Sequence, residues 1–189
     1  MTLMEFQKQV QDSKQFASQF FKAEATVKIE EYTEERFRNP NCPSVTNGTK
    51  ITFNKAWIEA GLPNSDDVPF FLIHELRHIY QHDQITKYES GLTTQESERI
   101  IKRWKHEWEN YIPNLGDSQS RARNLSQEIE KDANGYSMAL LILKHMNEPW
   151  SLNVRMEEDQ VNLSFRRAHL YIETKLELTN WRNRNYISQ

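Results

Sequence analysis

Cysteine is almost missing from this chain. The 189 residues contain one, Cys42, which excludes an internal disulfide and any cysteine-rich zinc module. One cysteine fits a reducing compartment, so a cytoplasmic protein is the expectation. Long apolar runs are missing too. No window approaches eighteen consecutive apolar residues, so no membrane partner or span is expected. The stretch from Met1 to Phe21 interleaves Gln, Lys and Asp with its apolar residues and has no apolar centre of the kind a secretory signal needs. Basic charge is not in excess: 24 Lys and Arg stand against 27 Asp and Glu, for a net charge of −3. That argues against a nucleic-acid partner, which would need a basic face to neutralise phosphates. Apolar residues make up only 37%, below the usual share for globular chains. The length still suffices for one core without covalent staples.

What is present reads as a helix, a small sheet and then more helices. Phe6, Val10, Phe16, Phe20 and Phe21 recur at roughly helical spacing, so a helix is expected over 1–23. Thr26-Val27-Lys28-Ile29 predicts a strand within 25–32. Asn39-Pro40-Asn41-Cys42-Pro43 must be a loop. The stretch 45–53 predicts a hairpin, with Asn47-Gly48 supplying the positive φ angles of a type I′ turn. A short helical turn follows at Trp57–Ala60. Ser65, Asp66 and Asp67 can cap a helix that carries Pro69 in its first turn and runs to about Asp83. Thr93 with Glu96 suggests a capping box for a helix reaching Tyr111. Another helix is expected over 124–146, and a last one ending near Trp181. This order predicts one α+β domain over 1–189. A small antiparallel or mixed sheet would pack on a mostly helical body, with a helical insertion at about 87–123 and a helical tail at about 150–189.

One motif carries chemistry: His74-Glu75-Leu76-Arg77-His78. Residues four apart on a helix share a face, so His74 and His78 can aim two imidazoles at one cation. Glu75 is rotated by about 100° and can reach a water held at the metal. Chance placement of the six histidines and twenty glutamates would give roughly 0.02 such matches. The apolar run Phe70–Ile73 buries the same helix in the core, as a rigid site requires.

Zinc also needs a third protein ligand and an open fourth position. His82 is about 12 Å from His74 along an unbroken helix axis, too far to share the ion. The next long helix offers Glu128 and Asp132, four apart on one face. Glu128 can ligate, while Asp132 can accept the ring N–H of a ligating histidine. Glu130 is about 200° around the helix from Glu128, so both cannot face the metal. The competing reading makes these acids an ordinary N-terminal turn favoured by the helix dipole.

His-Glu-x-x-His with a downstream Glu-x-x-x-Asp-Ala resembles the gluzincin group of zincin metallopeptidases. In size and element order the chain is similar to the small ImmA/IrrE-like peptidases. The resemblance covers about Ile51 to Leu143. It implies an active-site helix followed by a ligand-bearing helix, a Zn2+ cofactor and a hydrolase acting on a protein or peptide substrate. It implies His74, His78 and Glu128 as ligands, Glu75 as general base and Asp132 as a support for a ligand.

In such an enzyme the substrate would pair as an added strand with Lys50–Asn54. The oxyanion donor would come from Tyr136, His145, His106 or Tyr111, among which the sequence does not choose. Ile100, Ile101, Trp104, Trp108 and Tyr111 form a stripe read as helix packing ahead of a substrate wall. Arg99, Lys102, Arg103 and Lys105 are diluted by Glu98, Glu107 and Glu109, which favours a solvated face over a nucleic-acid surface. The rival functional reading is a non-catalytic binding or regulatory protein that keeps a metallopeptidase-like fold. An intact Glu75 argues against it.

Overall fold

The computed structural model describes residues 2–20, 24–61 and 63–145. The expected C-terminal helix, with Trp150, Tyr171, Trp181 and Tyr186, lies outside these residues, as does Phe21. The chain is α+β. It opens with α1 (Leu3–Ala17), where Thr2 and Glu5 satisfy each other's backbone N–H in a capping box. Next come β1 (Thr26–Glu30) and a single turn, α2 (Glu34–Phe37).

The expected hairpin is present as β2 (Ser44–Asn47) and β3 (Lys50–Asn54), antiparallel with Asn47 opposite Lys50. Its loop is Gly48-Thr49, and only Gly48 has a positive φ, at 59°. That is the pattern of a type II′ turn, not the expected type I′, which needs positive φ at both central residues. β1 joins β3 in parallel, so the sheet is mixed, with order β1-β3-β2. β3 is therefore the central strand. Both its edges are paired, which overturns Lys50–Asn54 as a track for substrate. The outer edge on the hairpin side belongs to β2.

Asn54 ends β3 and caps α3 (Lys55–Glu59) by accepting from the N–H of Ala56. α4 (Asp67–Glu89) carries Pro69 in its first turn and continues six residues past the expected end at Asp83. It stops where Gly91 adopts φ 69°: Leu92 N–H donates to Lys87 C=O and Gly91 N–H to Tyr88 C=O, the two bonds of a Schellman motif. α5 (Glu98–Glu109) is preceded by Ser97 and not by Thr93. The expected capping box fails because Glu96 is engaged elsewhere, accepting from the Tyr80 hydroxyl at 3.0 Å.

The helix expected over 124–146 is in fact two, α6 (Ser118–Ser126) and α7 (Glu128–Lys144). Gln127 breaks it with an extended backbone, ψ 138°. Its side chain grips another segment, accepting from Ile112 N–H at 2.9 Å and donating to Ile112 C=O at 3.0 Å. Glu107 of α5 then accepts the N–H of Ile129 and so caps α7 from outside.

α4 packs most extensively against α7, with α1 and the sheet behind it. Phe6, Ile51, Phe53, Phe70, Leu72, Ile73, Met138, Leu140 and Leu141 fill that core with almost no exposure. Full burial contributes roughly 1.5–3 kcal/mol for each such side chain. A second cluster, Ile85, Ile101, Trp104 and Ile129, fastens α5 across α4 and α7. The first half of the aromatic stripe on α5 is thus core. No described helix is long and apolar enough to cross a membrane.

Candidate metal centre

α4 and α7 face each other across an interface that carries buried polar groups. The Nε2 atoms of His74 and His78 are 2.9 Å apart. Glu130 reaches toward both from α7, with Oε2 3.4 Å from His74 Nε2 and Oε1 3.6 Å from His78 Nε2. Ligands at 2.0–2.1 Å from a tetrahedral zinc are separated from one another by about 3.3 Å. The three side chains therefore stand near the spacing one ion requires. Among the described residues they are the one group of three His, Cys, Asp or Glu side chains whose ligand atoms converge this closely.

The third member is Glu130, and Glu128 is elsewhere. Glu128 lies 3.1 Å from Lys131 and 3.6 Å from Arg103, at the rim of α7. Its side chain is 17% exposed against 6% for Glu130. The break at Gln127 makes Glu128 the first residue of α7 and sets the phase that turns Glu130 inward.

Asp132 also departs from expectation, because no histidine donates to it. It accepts twice from Arg77, at 2.7 and 3.3 Å, and from Gln81 Nε2 at 2.8 Å. Gln81 is the intermediary. Its Nε2 donates to Asp132 and to Ile129 C=O, both acceptors only, so the amide has one orientation. Its Oε1 then accepts from Nδ1 of His78 at 2.8 Å. Nδ1 of His78 thus carries a proton, and Nε2 faces His74 and Glu130. Nδ1 of His74 is buried and makes no hydrogen bond, although Asn134 stands close enough to favour the protonated ring.

Charge and burial divide the two imidazoles. Burial alone would lower His78, but the Glu130 carboxylate beside it outweighs this and raises it above the ordinary histidine value. His74 is lowered, by burial first and then by the neighbouring His78. Burial would raise Glu130, yet the two histidines and the Tyr111 hydroxyl hold it below the usual carboxylate range. Without an ion, the cluster is a protonated His78 against an ionised Glu130.

Glu75 is 5% exposed and accepts from the Ser44 hydroxyl at 2.9 Å. Its charge acts on both histidines and on Tyr111, which places it in the same pocket of field. Cys42 is close by. Burial, then Glu75 and Glu130, push its thiol up to about 12, so it stays protonated at neutral pH.

Of the four oxyanion candidates, the structure brings only Tyr111 to the cluster, where its hydroxyl donates to Glu130 Oε1 at 2.6 Å. Tyr136 stacks on Arg77, with the guanidinium 4.5 Å from its ring. His145 meets Asp66 at 2.9 Å, and His106 is exposed beside Asn110. His82 is exposed and packs on Trp108, whose ring also lies 6.1 Å from His78. Lys102, Arg103 and Lys105 each pair with an acid, consistent with a solvated face.

Sequence reasoning missed Glu130 as a partner, and also Gln81 and Ser44. The stripe Ile129, Ala133, Tyr136 and Leu140 marks the buried side of α7. At 100° per residue, Glu128 and Glu130 fall about equally far to either side of it. The structure buries Asn134 and Ser137 on the Glu130 side and Asp132 on the Glu128 side, so the residues alone carried no signal that separates the two glutamates. Compared with protein-family models, curated proteins and solved structures, the chain matches none.

Proposed function

We propose that the protein is a zinc-dependent peptidase whose ligands are His74, His78 and Glu130. The observation that supports this is their convergence: the two Nε2 atoms are 2.9 Å apart, Glu130 brings Oε2 to 3.4 Å from one and Oε1 to 3.6 Å from the other, and one ligand atom from each residue lies within 4.8 Å of the others, with the Glu75 charge acting on both rings. The ion would lower the pKa of a water and polarise a scissile carbonyl. Glu75, steadied by Ser44, accepts the proton of the attacking water and returns it to the leaving amine. Gln81 holds the His78 ring with its Nε2 turned inward. The substrate is a protein or peptide in extended form.

The track we assign to it is the outer edge of β2. Asn47 and Lys50 close the hairpin, and Asn54 N–H bonds Pro43 C=O. The alternation of an antiparallel ladder then turns the backbone of Ser44 and Thr46 outward. A peptide added there would pass Ser44, which touches Glu75.

The test is zinc content after dialysis, followed by cleavage of a synthetic peptide library read by mass spectrometry. Near one zinc per chain is expected, with cleavage lost in Glu75→Gln while the zinc stays. A chain that takes up no zinc on reconstitution would sink the proposal. So would a Glu75→Gln variant that cleaves as well as the parent.

A further inference from the structure

The geometry points to Tyr111 as a positioning residue that makes Glu130 a one-oxygen ligand and so keeps the fourth position of the cation open. This rests on the zinc reading above. The Tyr111 hydroxyl donates to Glu130 Oε1 at 2.6 Å, the shortest bond at the cluster. Oε1 also stands 3.6 Å from His78 Nε2, but with the phenol on it, Oε2, 3.4 Å from His74 Nε2, is the oxygen left to bind an ion. A carboxylate with both oxygens available can close on a metal through both and fill the site that water or substrate must use.

The phenol is itself held. Its oxygen accepts from Asn124 Nδ2 at 3.0 Å, which leaves its single O–H directed at Glu130. The next residue, Ile112, is bracketed: Gln127 takes its N–H, and Gln127 and Asn124 both donate to its C=O. Gln127 also begins the turn that carries Glu130, so donor and acceptor are referred to one joint between α6 and α7. The residue as a whole is 46% exposed, but its hydroxyl end points inward.

Tyr111→Phe keeps the ring and removes this one bond. The probe is cobalt(II) in place of zinc, because its visible absorption weakens when a fifth ligand atom joins a four-coordinate site. Expected for Tyr111→Phe is a clear drop in cobalt absorbance per bound ion, with zinc affinity about 10- to 100-fold lower by chelator competition. Circular dichroism of the metal-free variant should match the parent. Asn124→Ala, which leaves the phenol but frees it, should move the spectrum the same way by less, and decides the matter if Tyr111→Phe does not fold. A parent-like cobalt spectrum in a folded variant overturns the inference, whatever the affinity does. If the parent protein binds neither cobalt nor zinc, the zinc reading itself fails. If the parent binds both and the variants look identical to it, only the role of Tyr111 falls.

Discussion

Gln81 fixes a proton on Nδ1 of His78 and turns Nε2 toward the other ligands, which makes it the most informative residue outside the three ligands. Its amide donates to Ile129 C=O and Asp132, so its oxygen has no choice but to face His78 Nδ1. Replacing it with Leu removes the acceptor and frees the ring to rotate. Gln81→Leu should weaken zinc binding about 10- to 100-fold while Glu75 is untouched, measured by competition with a chromophoric chelator. The same residue pair predicts a pH dependence. His78 is raised by Glu130, so the metal-free protein binds a proton there at neutral pH. Zinc must displace it. Affinity should therefore climb as pH rises from 6 to 8, and binding should release protons into a weakly buffered indicator solution. An affinity that is flat across that range would mean His78 is neutral before the ion arrives.

At the scale of elements, α4 and α7 are joined by a second polar contact, which reaches the candidate metal cluster through Gln81. Arg77 is 4% exposed, bonds Asp132 twice and lies over the rings of Tyr80, Tyr136 and Trp104. Removing it leaves Asp132 charged and buried, a cost of about 3–5 kcal/mol. Arg77→Met should lower the urea midpoint accordingly, and Arg77→Lys should rescue little, because an ammonium cannot reproduce the paired hydrogen bonds to Asp132 or the planar stack on the rings. On the sheet, Thr46→Pro removes an outward N–H and leaves the β2–β3 ladder intact. It should reduce cleavage of extended peptides without changing zinc content, as peptide turnover and elemental analysis would show.

These elements also show how far the residues could be read without coordinates. The hairpin, α1 and α4 were legible from hydrophobic period and the turn residues, although the turn is type II′ and the N-cap Asp66 makes no side-chain cap bond at the start of α4. The start of α7 was not, because Gln127 is turned out of helical geometry by Ile112, fifteen residues earlier in the chain. A long-range bond of that kind leaves no local signal. The placement of β3 in the centre of the sheet was hidden for the same reason: it depends on β1 pairing from the far side.

At the scale of the whole molecule, the candidate ion would sit between the two helices that share the largest contact in the described fold. His74 and His78 come from α4 and Glu130 from α7, so binding and folding are linked. An ion that binds only the folded chain stabilises it by about 2.7 kcal/mol at one hundred times its Kd. For a chain of this size that is a rise in Tm on the order of 5–10 °C. The two glutamates divide the outcome. Glu130→Gln replaces the anionic carboxylate that faces the histidines with a neutral amide, a much weaker zinc ligand, so zinc should no longer raise Tm by this amount. Glu128→Gln weakens rim ion pairs such as those with Lys131 and Arg103, each worth at most about 1 kcal/mol. Its zinc-dependent rise should survive. Differential scanning calorimetry with and without zinc on both variants distinguishes the assignments in one experiment. A rise lost in Glu128→Gln and kept in Glu130→Gln would return the third ligand to the position that the Glu128–Asp132 spacing suggests, and would require α7 to turn by most of half a revolution when the ion binds.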